Sequence, residues 1–250
     1  MKEPLFKKEY LRRMKFFVKR FFIKIRLFWQ YGTTDFFDSL NIEINSACNR
    51  KCSYCPNAIF DRGLLKNQKK LPRKVFDKII KELSEINYRG KISFAFYNEP
   101  LLDDRIFDLI SHARKNLPKC EIGLFTNGDY LTEEVRKNLW KSGIDRLLVS
   151  RHKDPNYKFN LLNNRCGLVQ PVNCDYFPRC KYEDFHAVID FRGNWVICCN
   201  DYLSASKVGN VEKEKIMDIW DNPGYKRLRK DLEKNIFKMG ICKKCVGIDE

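Results

Sequence analysis

The sequence predicts an α/β protein made of consecutive parallel βα units, followed by a smaller region of different design. Three observations carry this reading. Between Ser39 and Ser150, short apolar runs alternate with segments of helical periodicity. Each strand-plus-helix unit takes roughly thirty residues, the length of a right-handed crossover. After Ser150 the alternation stops. Parallel βα units carry their functional loops at the C-terminal ends of the strands, so the segments just after each strand are where chemistry is expected.

The elements follow in order. "SLNIEIN" is the first strand, and in "PRKVFDKIIKELSEI" Val75, Ile79, Ile80, Leu83 and Ile86 recur at helical spacing. "KISFAFY" is the second strand, "DDRIFDLISHARKNL" a helix and "CEIGLFT" the third strand. "TEEVRKNLWKSG" is a helix closed by Gly143 as its C-cap, and "IDRLLVS" is the fourth strand. Residues 151–179 are rich in Asn, Pro and Cys and lack periodicity, which reads as a linker. "FHAVIDFRGNWVICC" reads as a hairpin turning at Arg192-Gly193-Asn194. "KEKIMDIWDN" and "YKRLRKDLEKNIFKM" read as short helices leading to the final "CKKC". The expected organisation is an N-terminal helix (1–38), a βα region (39–150), a linker (151–179) and a C-terminal domain (180–250).

With 250 residues and 44% hydrophobic content the chain can bury a substantial core. The formal charge of +16 is spread along the sequence without an RNP, zinc-finger or helix-turn-helix signature, so no nucleic-acid partner is expected. Eleven cysteines without a secretory signal argue for metal rather than disulfides. Cys120 reads as a buried free thiol, and Cys166 and Cys174 are left over. No run of apolar residues is long enough to cross a membrane. "FKKEYLRRMKFFVKRFFIKIRLFW" is a basic helix rich in Phe. Through residues 5–30 it can meet an anionic membrane surface or a partner. The expectation favoured by its composition is a helix docked on its own domain with Lys and Arg facing water.

"SACNRKCSYCPN" follows the first strand and sets Cys48, Cys52 and Cys55 as C-x3-C-x2-C. A structural zinc takes four ligands, and the next candidate is as distant as His112. A 4Fe-4S cluster held by three thiolates leaves one iron open to bind something else.

These residues resemble the radical S-adenosylmethionine (radical SAM) enzymes, whose motif is this spacing after the first strand of a partial (β/α) barrel, with an aromatic before the last cysteine, here Tyr54. The resemblance implies S-adenosyl-L-methionine chelated on the open iron, reductive cleavage to a 5'-deoxyadenosyl radical, and hydrogen abstraction from substrate. "FAFYNEPLLD" resembles the family's Gly-Gly-Glu-Pro stretch: Asn98, Glu99 and Pro100 fall in it, with Tyr97 and Asn98 where the family has glycines. Thr126 and Asn127 of "LFTNG" and Ser150 of "LLVSRH" match positions that lie beside the cofactor in the family. The family barrel has six units and this chain four, so the expected fold is a partial barrel abbreviated after its fourth strand.

Cys180, Cys198, Cys242 and Cys245 resemble the ligands of the twitch/SPASM auxiliary-cluster domains, a β-hairpin plus helix holding one auxiliary 4Fe-4S cluster. Zinc fits the same spacing, and Cys199 is an alternative to Cys198. In its auxiliary cysteines the chain resembles an alcohol-oxidising branch of the family from the butirosin pathway. That implies a hydroxyl-bearing sugar or cyclitol-like substrate, with the auxiliary cluster as electron acceptor and Arg151 or His152 as candidate catalytic base. Peptide modification and an iron-sulfur scaffold without catalysis are the alternatives. Reduced flavodoxin or ferredoxin is the electron donor the resemblance implies, in a reducing, cytoplasmic setting.

Overall fold

The computed structural model describes residues 5–150, 164–169, 180 and 185–248. Its frame is one seven-stranded sheet in the order β4-β3-β2-β1-β5-β6-β7. The strands β1 (Ser39–Ile42), β2 (Lys91–Phe94), β3 (Glu121–Thr126) and β4 (Arg146–Val149) are parallel, as the alternation predicts. Helices α2 (Arg73–Glu85), α3 (Ile106–Asn116) and α4 (Glu133–Ser142) are the crossovers. Helix α2 buries Val75, Phe76, Ile79, Ile80 and Leu83, the face its periodicity marks.

Helix α4 has both of its caps in the sequence. The Thr132 hydroxyl accepts from Val135 N at 3.1 Å, and Gly143 ends the helix in the left-handed region at φ 103°. A Cβ on Gly143 would meet Arg114 Cγ at 2.7 Å, so glycine suits the position twice over.

Two expectations need correction. The C-terminal hairpin does not stand apart from the βα region: β5 (His186–Ile189) pairs in parallel with β1, Ser39 opposite His186 through Ile42 opposite Ile189. Strands β6 (Asn194–Val196) and β7 (Lys207–Asn210) then continue the sheet antiparallel, β7 being a strand the sequence did not announce. Helices α5 (Ile216–Asp221), α6 (Pro223–Glu233) and α7 (Gly240–Val246) follow, and the "CKKC" cysteines lie on α7 rather than beyond the helices. The core runs through both regions without a seam. Phe37 packs edge-on against Trp195 at 5.7 Å and Trp220 at 5.2 Å, and all three are fully buried.

The second correction concerns α1 (Leu5–Tyr31). The helix docks, but with the opposite face from the one expected. Arg20 and Lys24 turn inward to Glu233 at 2.6 and 3.3 Å, Arg26 pairs with Asp38, and Leu27 is buried. Phe21, Phe22, Phe28 and Trp29 are left in solvent.

Candidate active site and thiol clusters

The three-cysteine loop leaves the C-terminal end of β1 and turns tightly, with Cys55 N donating to Cys52 O at 2.9 Å. Cys48 N donates to Gly63 O at 3.0 Å, folding the following segment back over the loop. A Cβ on Gly63 would stand 2.5 Å from Asn57 Oδ1, so only glycine admits that approach. Burial holds the Cys48 thiol up at about 11, with Glu99 and the two neighbouring thiols adding to it, and burial raises Cys55 as well. Tyr54 hydrogen-bonds Cys52, and its phenol is raised by burial first and by that bond second. Iron binding therefore has to displace protons that burial helps these thiols retain.

The loops after β2 and β3 close around the first one. Glu99 is 1% exposed, and its carboxylate accepts from Leu101 N at 3.1 Å, Thr126 Oγ1 at 2.7 Å and Asn127 N at 2.7 Å. Burial raises its pKa against these three donors. Its own amide donates to Ala47 O at 2.7 Å, beside the thiol loop. Asn127 Nδ2 donates to Asn49 Oδ1 at 2.8 Å and lies 3.9 Å from Cys48 Sγ. Arg50 grips Asp129 with two bonds of 2.6 Å. Pro100 starts a short 3-10 turn that Glu99 caps. Ser150 N donates to Thr126 O at 2.8 Å, bringing the end of β4 to the same edge. Tyr54, Asn98, Glu99, Pro100, Thr126, Asn127 and Ser150 are thus carried by loops at one end of the parallel strands. Arg151 and His152 lie outside the described residues.

Asn98 Nδ2 is buried and has no hydrogen-bond partner among the described residues. An unused buried donor in the loop after β2, beside Glu99, fits a site completed by a bound group. Among the described residues no three of His, Cys, Asp and Glu gather at the spacing of a single metal ion.

A second thiol group forms where β6 ends and α7 begins. Cys166, left over in the sequence, hydrogen-bonds both Cys198 and Cys245, which raises its pKa. Those bonds pull Cys245 down to about 7, while burial and the neighbouring Cys198 and Cys245 push Cys242 up to about 12. Cys198 joins this group, and Asn200 N donates to its Sγ at 3.4 Å. Cys180 is half-buried. Part of the predicted linker is docked here too: Asn164 Nδ2 donates to Lys244 O at 2.7 Å and Arg165 Nη1 to Asn200 Oδ1 at 2.9 Å.

Residues between the two thiol groups escaped the sequence reading. Glu43 follows β1 and is fully buried. It receives Arg62 Nη2 at 2.5 Å on both oxygens, Tyr97 N at 3.2 Å and Phe191 N at 3.3 Å. Burial still outweighs Arg62 and lifts its pKa to about 7. The Arg62 guanidinium lies over Tyr202 at 4.5 Å and Phe191 at 5.1 Å, and also donates to Tyr202 O. Arg165 stands over Tyr97 at 5.8 Å, and its charge acts on Cys55 in one group and Cys245 in the other. Glu43 had a visible signal, a carboxylate at an otherwise apolar strand end. Arg62 and Arg165 had none.

A partial barrel with three thiols at its strand ends and a second thiol group beside it defines an iron-sulfur protein with an open site. Comparison with known proteins makes this particular. Residues 42–165 match the Radical SAM superfamily and residues 180–246 the SPASM iron-sulfur cluster-binding domain. The chain belongs to the radical SAM enzymes, with a SPASM-type domain behind the barrel. It binds S-adenosylmethionine and a 4Fe-4S cluster in the first part and an auxiliary iron-sulfur cluster in the second.

It is 29% identical over 237 residues to the S-adenosyl-L-methionine-dependent 2-deoxy-scyllo-inosamine dehydrogenase of Niallia circulans, covering 85% of this chain and 94% of that one. The crystal structure of BtrN in complex with AdoMet and 2-DOIA superposes with a TM-score of 0.75 at 28% identity, covering 84% of this chain and 92% of that chain. A GTP 3',8-cyclase of Staphylococcus epidermidis is 27% identical over 194 residues, 74% of this chain and 56% of the cyclase.

Proposed function

We propose that this enzyme oxidises a hydroxyl-bearing carbon of a cyclitol-like or sugar substrate. The observation that carries this reading is the likeness, in sequence and in fold and over nearly the whole of that protein, to the S-adenosyl-L-methionine-dependent 2-deoxy-scyllo-inosamine dehydrogenase. A ketone forms when the carbon gives up a hydrogen atom, its hydroxyl a proton, and the carbon centre one further electron. When bound, S-adenosylmethionine and its cluster supply the hydrogen-abstracting radical, and the auxiliary cluster supplies an acceptor for the electron.

The chain's own residues do the rest. Cys48, Cys52 and Cys55 would hold the first cluster, and Tyr54 steadies the loop through its hydrogen bond to Cys52. Asn98 offers its unused Nδ2, while Glu99, Pro100, Thr126, Asn127 and Ser150 shape the cofactor's seat. Cys180, Cys198, Cys242 and Cys245 hold the auxiliary cluster. Arg151 or His152, directly after Ser150, takes the hydroxyl proton. The aromatic walls Tyr97, Phe191 and Tyr202 exclude water around Arg62. The substrate is a small molecule, the donor of the first electron is reduced flavodoxin or ferredoxin, and the oxygen-sensitive clusters call for a reducing, cytoplasmic setting. Residues 5–30 offer a further contact, to a membrane surface or a partner.

The test is anaerobic incubation of the reconstituted enzyme with S-adenosylmethionine, dithionite and a panel led by 2-deoxy-scyllo-inosamine. Production of 5'-deoxyadenosine together with a ketone, and neither with Cys55→Ala, is the expected result. Cofactor cleavage that no alcohol stimulates would sink the substrate assignment.

A further inference from the structure

Helix α1 keeps part of its positive charge for the protein and turns its apolar side to water. Met14, Phe21, Phe22, Ile25, Phe28 and Trp29 are all exposed, Trp29 by 82%, Phe21 and Phe22 by 62% each and Phe28 by 57%. Their spacing from Met14 is i, i+7, i+8, i+11, i+14 and i+15. At 3.6 residues per turn they fall within about 120° of the circumference, one unbroken stripe. On the other side lie Arg20, Lys24, Arg26 and Leu27, already engaged with Glu233, Asp38 and the core.

We propose that this stripe docks the enzyme on an anionic lipid bilayer, with α1 lying along the interface. Leu5–Tyr31 contains nine Lys or Arg and one Glu, and six of those cations, Lys7 to Lys19, precede the three that pair with Glu233 and Asp38. An apolar face rich in Phe and Trp beside many cations is the composition of helices that lie in the headgroup region, where Trp is also at home. No helix among the described residues is long and apolar enough to cross the membrane, so the contact is a surface one. A second copy of the chain fits the stripe less well, because apposing two such helices brings like charges together. The helix also lies outside both family-matched ranges, so the barrel and cluster domain do not account for its exposed aromatics.

The docking has a direction. Tyr31 at the C-terminal end of α1 stacks on Phe36 at 4.0 Å and accepts from Arg89 N at 2.7 Å, at the N-terminal ends of β1 and β2. The thiol loop is at the opposite ends of those strands, so the docked enzyme keeps its active-site edge away from the lipid. This inference makes definite the contact offered by residues 5–30 and does not depend on the reaction.

The experiment is co-sedimentation of the full-length protein with phosphatidylcholine vesicles with and without phosphatidylserine, together with its solution mass by light scattering. The wild type is expected to pellet with the phosphatidylserine vesicles and to be released by salt. The double variant Phe21→Glu/Phe28→Glu, with unchanged iron content, is expected to lose at least about tenfold in vesicle binding. A wild type that stays in the supernatant, or a variant that binds equally, overturns the proposal. So does a dimer in solution that the same variant dissolves, which would assign the stripe to a second copy. Sedimentation needs neither cofactor nor substrate, so its failure is distinct from failure of the catalytic assay.

Discussion

The Thr126 hydroxyl donates a 2.7 Å hydrogen bond to the buried Glu99 carboxylate, tying the end of β3 to the loop after β2. Thr126→Val keeps the shape and removes one of three donors from a desolvated acid. The expected cost is about 1–3 kcal/mol in denaturant unfolding, with Thr126→Ser close to wild type. Equal stability of the two variants would show that the remaining donors suffice.

Arg62 and Glu43 form a pair that belongs to no single element: Glu43 follows β1, and Arg62 reaches it from the segment after the thiol loop. Arg62→Met leaves a fully buried carboxylate without its cation and is expected to destabilise by about 3–5 kcal/mol. Adding Glu43→Gln should recover most of that loss. A double variant no better than Arg62→Met would mean that the arginine acts through its contacts with Tyr202 and Phe191 instead.

The cysteines divide into two jobs. Anaerobic reconstitution is expected to give about eight irons per chain. Cys198→Ala should retain about four and Cys199→Ala about eight, since Cys198 is the one grouped with Cys242 and Cys245. On the proposed ligand set of Cys180, Cys198, Cys242 and Cys245, Cys166→Ala is expected to keep about eight, and a fall to about four would make Cys166 a ligand instead. Cys55→Ala should abolish cofactor cleavage while Cys245→Ala keeps some. One zinc in place of four irons would overturn the auxiliary cluster.

His186 begins β5 with Nδ1 2.8 Å from Ser39 Oγ, and burial holds its pKa down at about 4. The unfolded chain takes up that proton at higher pH, near the ordinary histidine value. Stability is therefore whole above about pH 6.5 and lost as the pH falls toward 4. Urea unfolding from about pH 7 to about pH 5 is expected to show a loss of about 1–3 kcal/mol that His186→Gln lacks. Parallel curves for the two proteins would remove His186 from the account.

What the sequence disclosed was local. The crossover helices carry their apolar stripes within single segments, as Val75 to Leu83 do, and Gly143 and Thr132 mark the ends of α4 by their own chemistry. Cys48, Cys52 and Cys55 are legible because one loop holds all three. The pairing of β1 with β5 was not legible, because no local pattern names a partner that far along the chain. Cys166 was missed for the same reason: fourteen residues before Cys180 it has no neighbour in sequence, only in space. The face on which α1 docks was misjudged because two acids elsewhere, Asp38 and Glu233, decide where its cations turn.

The place of β1 in the sheet also governs how the molecule is born. Ser39 waits for His186, 147 positions later, to complete its pairing. Until β5 leaves the ribosome, β1 to β4 form half a sheet. One row of N–H and C=O groups stays open along β1, and Leu40 and Ile42 lack the side of the core that Trp195 later supplies. Closing that edge is a long-range step, and steps of high contact order are slow. The nascent chain passes through a stage that invites association with its own kind. Truncations ending before Ile189 should therefore aggregate, and slow synthesis at low temperature should raise the soluble yield of the whole chain.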